Sequence, residues 1–87
     1  MVFRINVSIT LRSSILDPQG KAAQHALNDL GFTDISKVRM GKYIQMWVHA
    51  ETSAEARQLA EQACQKLLAN PVMEDYDIQD VVEEAAV

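Results

Sequence analysis

The feature that most constrains the fold is a run of strict alternation at the start of the chain. Apolar residues occupy every second position from Phe3 to Leu11, and polar residues occupy the positions between them. Successive side chains of a strand point to opposite faces, so the pattern predicts a strand over residues 2–12 with one buried face. This strand requires a sheet around it and a layer of structure over its apolar side.

A helix start follows this strand, in the run LDPQGKAAQHAL at residues 16–27. Asp17 suits the N-cap, because its carboxylate can accept a bond from a first-turn N–H. Pro18 suits the first helical position, where a missing N–H costs nothing. Gly20 needs another reason, since glycine inside a helix costs about 1 kcal/mol relative to alanine. Either another backbone approaches closely there or an anion reaches the first-turn N–H groups. The absence of a second glycine and of a Walker-type lysine spacing favours close packing.

The middle of the chain predicts a hairpin of two strands, residues 34–40 and 42–50, around Gly41. The short connection RMGKY favours an antiparallel pair, with Gly41 at a positive φ. A second helix follows, capped by Thr52 or Ser53 and ended by Pro71. Its predicted apolar stripe contains Ala56, Leu59, Ala60, Ala63, Leu67 and Leu68.

The last element predicted is a short strand near Tyr76, Ile78 and Val81, followed from about residue 83 by a frayed tail. The order β-α-β-β-α-β predicts an α+β fold, the ferredoxin-like two-layer sandwich. Its antiparallel sheet would have two helices on one face, and residues 1–87 would form a single domain. The other face would carry Tyr43 and Trp47. These are candidates for self-association, because small domains rarely expose an aromatic cluster without use.

Composition excludes several classes of function. A formal charge of −4 and a pI near 4.9 argue against nucleic-acid binding and against an anionic membrane surface. The single cysteine, Cys64, falls within a helical pattern, which favours a buried thiol and a cytoplasmic protein. No histidine or cysteine spacing typical of a metal site occurs, and neither Ser13 nor Ser14 lies in a nucleophile motif. We therefore expect no catalytic, cofactor-binding or metal-ligating residue in this chain.

The run RMGKY leaves two compatible interpretations. It is a turn, or it is a turn that also presents cations to a partner protein. An acidic chain that places two of its eight basic residues at one hairpin could use them for docking. The candidate docking residues are Arg39, Gly41, Lys42 and Tyr43.

Three segments together resemble a known family. They are LRSSILDPQGKAAQHAL at residues 11–27, VRMGKYIQMWV at 38–48 and CQKLLANPVMEDYDI at 64–78. In this order and in a chain of this length, they resemble the PurS subunit of phosphoribosylformylglycinamidine synthase, over nearly the whole sequence.

The resemblance implies a non-catalytic accessory subunit that acts in de novo purine biosynthesis. It implies a self-associated protein, dimer or tetramer, that bridges a glutaminase subunit and a synthetase subunit so that ammonia from glutamine reaches formylglycinamide ribonucleotide. ATP and magnesium would be used by the synthetase partner, and no cofactor by this chain. The alternative from the residues alone is a homo-oligomeric regulatory domain that senses a small molecule.

Overall fold

The computed structural model describes residues 1–84, which form a three-stranded antiparallel sheet and two α-helices. The elements follow the chain as β1 (Val2–Leu11), α1 (Pro18–Asp29), β2 (Gly41–His49), α2 (Ser53–Ala63) and β3 (Glu74–Glu84). The strands lie in the order β2-β1-β3, so β1 is central and pairs antiparallel with both neighbours. The predicted α+β class, an antiparallel sheet with two helices, is confirmed.

The core lies between the alternating face of β1 and helix α2. Ile5, Val7 and Ile9 are completely buried, as the alternation predicts. On the helix, Ala56 and Ala60 are equally inaccessible, because their small side chains let the helix axis approach the sheet. Burial of these aliphatic side chains supplies the main stabilising term, at about 25 cal/mol for each Å² of apolar surface removed from water.

Helix α2 ends in a π-helical turn, Cys64–Leu68, that the sequence did not predict. The N–H of Ala69 donates to the carbonyl of Cys64 at 3.0 Å, a five-residue step in place of the usual four. The wider turn keeps Cys64 and Ala69 buried and packs Leu68 against the core. It also turns Leu67 outward, with 83% of its surface exposed, so its predicted place in the apolar stripe is wrong.

Residues 34–40, predicted as a strand, have no strand structure. Side chains occupy the backbone groups that a ladder would need: Asp17 accepts from the N–H of Met40 at 2.7 Å, and Gln24 donates to the carbonyl of Ser36 at 2.6 Å. The predicted hairpin is therefore absent, and Gly41 begins β2 opposite Thr10 without a positive φ. Gly41 is required for a different reason, because a Cβ there would collide with the carbonyl oxygen of Ile9.

Helix α1 stands apart from the layer that α2 forms. It makes no extensive contact with any strand, and the residue it buries is Gly20. The radius of gyration is 16.5 Å, whereas a compact chain of this length has about 12 Å. The expected position on one face of the sheet is therefore found for α2 and not for α1. The physical reason is that α1 is tied to the segment before β2 and not to the strands.

Strand β3 is longer than predicted and continues through Glu83 and Glu84, which pair with the first residues of β1. The predicted frayed tail is wrong for these two residues, and its remainder, residues 85–87, lies outside the described part of the chain. Over residues 1–84, the helices are all too short or too polar to span a bilayer.

The π-helical turn gives the neighbouring residues Leu67 and Leu68 different burial, so they should contribute differently to stability. We expect Leu68→Ala to lower the free energy of unfolding by about 2 kcal/mol, because it removes a partly buried side chain that packs against the core. Leu67→Ala should change it by less than about 0.5 kcal/mol, as at other exposed positions. Urea unfolding of the two variants, followed by circular dichroism, measures both. Equal losses would show that the helix continues with ordinary periodicity.

Candidate functional site

The joint between α1 and the segment before β2 is built on one carboxylate. Asp17 is the N-cap of α1, and its Oδ1 accepts from the N–H of Gly20 at 3.0 Å. Its other oxygen, Oδ2, accepts from the N–H of Met40 at 2.7 Å. With Pro18 at the start of the helix, the local chemistry sets where α1 begins. The second bond fixes where the helix lies relative to β2.

Gly20 lies at the closest approach of the two segments. A Cβ at this position would collide with the carbonyl oxygen of Val38, and it would also press on the Asp17 carboxylate. Close packing of a second backbone therefore accounts for the glycine. The anion alternative lacks room, because the Asp17 carboxylate already occupies the place in front of the first-turn N–H of Gly20.

The same bonds set the electrostatics of Asp17. The backbone N–H groups of Met40 and then Gly20 stabilise the ionised carboxylate and hold its pKa below the usual range, despite the opposing effect of burial. The nearby guanidinium of Arg39 acts in the same direction. Asp17 is therefore a charge stabilised by internal hydrogen bonds, and it is buried in the joint with 6% of its surface exposed.

Arg39 is the second fastening of the joint. Its guanidinium donates to the carbonyl oxygens of Leu11 at 2.6 Å and Arg12 at 3.0 Å, and it reaches that of Ile15 at 3.4 Å. It thereby holds the loop between β1 and α1 against the segment before β2. The sequence interpretation placed Arg39 on an exposed turn, whereas the structure places it in these internal bonds. The fixed fork of guanidinium donors suits several carbonyls at once.

The remaining residues of the candidate docking group lie on β2. Lys42 forms an exposed ion pair with Glu74 across 3.5 Å, and Tyr43 is also exposed. Gly41 serves the close approach to β1 described above. Docking through Lys42 and Tyr43 stays a prediction.

The outer face of the sheet, opposite α2, is a polar ladder with exposed aromatics. Glu84 accepts from the guanidinium of Arg4 at 2.9 Å and from the indole N–H of Trp47 at 3.1 Å. In the next row, Asn6 donates to Asp80 at 3.0 Å and accepts from Gln45 at 3.2 Å. Trp47 remains 45% exposed, with its polar edge satisfied and its ring available for contact.

A cleft of about 350 Å³ opens beside the joint, and the sequence analysis missed it. It lies between the loop after β1, the first turns of α1 and the segment before β2. We call it the basic cleft, with the polar lining residues Ser13, Ser14, Asp17, Lys21, Gln24, Lys37 and Arg39. The position of Lys21 near the start of α1 could be recognised from the sequence. Lys37 was missed because residues 34–40 were assigned to the sheet, which would have directed their side chains elsewhere.

The potential nucleophile Cys64 lies away from this cleft. The thiol is buried in the core, and that burial, followed by the charge of Glu61, raises its pKa. A thiol held in its protonated form is a packing group rather than a nucleophile. Within residues 1–84, no three histidine, cysteine or acidic side chains come together as a metal site would require.

The compensated carboxylate of Asp17 predicts an acid-dependent contribution to stability. Its folded pKa lies below its unfolded value, so the contribution is fully present above the unfolded pKa and is lost as the pH falls through the folded one. Asp17→Asn removes the charge and one of two acceptor oxygens. We expect a lower melting temperature than the parent at about pH 7 and a difference that narrows below about pH 4.

The control for this prediction is Asp34→Asn, at an exposed loop position. It should follow the parent across the same pH series in thermal unfolding. If the difference between Asp17→Asn and the parent were constant from about pH 7 to about pH 3, the carboxylate would have no special role in the joint.

Comparison with known proteins places these features in a family. The family model described as PurS, phosphoribosylformylglycinamidine (FGAM) synthase, matches residues 4–82. The Bacillus subtilis protein named phosphoribosylformylglycinamidine synthase subunit PurS is 36% identical, over 95% of this chain and 100% of its own length.

Two solved structures extend the match to three dimensions. Thermus thermophilus PurS superposes with a TM-score of 0.86 at 38% identity, covering 98% of this chain and 100% of its own. A chain in the structure of PurLQS from Thermotoga maritima superposes with a TM-score of 0.85 at 32% identity, covering 91% of this chain and 96% of its own. In each comparison, sequence and fold thus agree over nearly the full length of this chain and of the matched chain. The chain belongs to the PurS family of phosphoribosylformylglycinamidine synthase subunits.

Proposed function

We propose that this chain is the accessory subunit of a phosphoribosylformylglycinamidine synthase complex in purine biosynthesis, and that it contributes no catalytic residue. It holds a glutaminase subunit against an ATP-dependent synthetase subunit, so that ammonia released from glutamine reaches formylglycinamide ribonucleotide. ATP and magnesium are used by the synthetase, and the complex works in the cytoplasm. The observation that carries this proposal is the family match over residues 4–82. The close likeness to a chain of PurLQS from Thermotoga maritima supports the bridging role.

The shape of the chain supports a bridging role. The molecule extends over 50 Å in its longest direction and exposes large apolar side chains on segments that are distant in the chain. Leu30 and Phe32 are exposed at the end of α1, and Val72 and Met73 are exposed before β3. Separate apolar areas of this kind suit contacts with more than one protein. Positioning two active centres relative to each other can accelerate a coupled reaction without a new catalytic group.

Reconstitution of the complex tests the proposal. Purified glutaminase and synthetase subunits from the same organism should make formylglycinamidine ribonucleotide from glutamine rapidly when this chain is added and slowly without it. The reaction supplied with ammonium chloride instead of glutamine should not depend on the chain, because no ammonia has to be passed between subunits. Equal glutamine-dependent rates with and without the chain, across a titration of the partners, would contradict the proposal.

Self-association forms part of the same proposal, and the outer sheet face is the candidate surface. Sedimentation at micromolar concentration should show a dimer or tetramer. Tyr43→Glu with Trp47→Glu places two charges on this face, and burying them in an interface costs several kcal/mol, so the variant should sediment as a monomer. Phe32→Glu, at another exposed aromatic, is the control and should leave the assembly intact. Dissociation by the control and not by the double variant would place the interface at the segment after α1.

A further inference from the structure

The basic cleft lies beside the joint, and the internal contacts of the fold do not neutralise all of its positive charge. Two of its wall groups cancel: the Asp17 carboxylate is bonded to two backbone N–H groups and lies near the Arg39 guanidinium. Lys21 and Lys37 are different. Both side chains are exposed, and among residues 1–84 neither forms an ion pair. The cleft therefore presents two uncompensated positive charges.

The surroundings select the chemistry of the ligand. The first-turn N–H of Gly20, which a phosphate would need, is occupied by Asp17. What remains is a pair of flexible ammonium groups over a partly apolar floor that includes Ile15, Leu16 and Val38. A lysine ammonium acts as a point charge and imposes no fixed geometry on its anionic partner. The apolar lining beside the two ammonium groups favours a ligand that carries apolar as well as acidic side chains. This lining suits carboxylates on a polypeptide better than a free phosphate.

The length of the depression also favours a polypeptide. A second depression of about 290 Å³ shares three lining residues with the basic cleft, namely Ser13, Lys37 and Arg39. The two depressions therefore adjoin, and the second is also lined by Leu11 and by the Asp75 carboxylate at the start of β3. Two adjoining depressions of this size suit an extended segment of several residues that passes from one to the other.

The distribution of charge over the chain points the same way. Five of the eight basic residues lie in or beside the loop after β1, the basic cleft and the start of β2, in a protein with a net charge of −4: Arg12, Lys21, Lys37, Arg39 and Lys42. Arg12 pairs with Asp75 and Lys42 with Glu74 at the start of β3, so among residues 1–84 the ammonium groups of this region that form no ion pair are those of Lys21 and Lys37. An acidic partner is attracted to these two ammonium groups and repelled by the carboxylates further along β3, such as Asp77 and Glu83. Such an arrangement orients a partner as well as binding it.

We propose that the basic cleft receives an acidic segment of a partner subunit, whose carboxylates pair with Lys21 and Lys37. This inference rests on the proposed function, because it takes the partner to be a subunit of the same synthase complex. It assigns the docking role to residues outside the RMGKY run and leaves Arg39 as the group that shapes the cleft wall.

The test compares two charge reversals of equal size. Lys21→Glu with Lys37→Glu reverses the cleft, and Arg57→Glu with Lys66→Glu reverses two exposed cations on α2 and the π-helical turn. Binding of each full-length protein to the purified glutaminase and synthetase subunits is measured by titration calorimetry. The cleft reversal should weaken assembly by about tenfold or more at low salt and by less at about 0.3 M salt, where exposed charges are screened. The control should bind like the parent.

The outcomes separate the two levels of inference. If the parent itself binds neither subunit, the proposed function fails. If the parent binds and the cleft reversal binds equally well at low salt, the cleft is not the docking site. A milder pair, Lys21→Gln with Lys37→Gln, should give a smaller loss in the same direction and serves if the reversal fails to fold. Inorganic phosphate at constant ionic strength should not raise the melting temperature of the parent. Stabilisation lost in both cleft variants would instead identify a small-anion site and overturn the proposal.

Discussion

The structure depends on the central strand. β1 is hydrogen-bonded on both edges, to β2 along one side and to β3 along the other, so its register sets the position of every other strand residue. Its inner face supplies the most deeply buried aliphatic side chains, against which α2 packs. On its outer face, Arg4 donates to Glu84 of β3, and Asn6 donates to Asp80 of β3 and accepts from Gln45 of β2. One strand thus organises the apolar core on one side and the polar ladder on the other.

A second constraint fixes what the sheet does not. Helix α1 has no extensive contact with the strands, so its orientation depends on the joint at Asp17, Gly20 and Arg39. A carboxylate with two backbone donors, a glycine that admits a carbonyl and a guanidinium shared by carbonyl oxygens are each local and directional. Together they fix the orientation of α1, which forms an arm that has no hydrophobic core between it and the sheet. The basic cleft results from this arrangement, because it lies between the three segments that the joint connects: the loop after β1, the first turns of α1 and the segment before β2.

These features are consistent with a protein that works by placing other proteins. The apolar side chains beyond the core are spread over the arm, the π-helical turn and the outer sheet face. Cations gather at the joint, while carboxylates line β3. Apolar area gives affinity, and an uneven charge gives orientation and a faster encounter with a partner. A subunit that positions two enzymes needs both properties, and it needs little interior volume to provide them.

The sequence by itself determined the elements whose signals are local. Alternation identified β1 and its buried face, and Asp17 with Pro18 located the start of α1, because strand period and helix capping depend on neighbours in the chain. The motifs of three segments were sufficient to indicate the family. The tertiary structure decided what residues 34–40 became, since their backbone groups bond to side chains of α1 and its cap. It also turned Leu67 outward through a π-helical turn and brought Lys37 beside Lys21. Each of these results depends on contacts between segments distant in the chain, which no local pattern records.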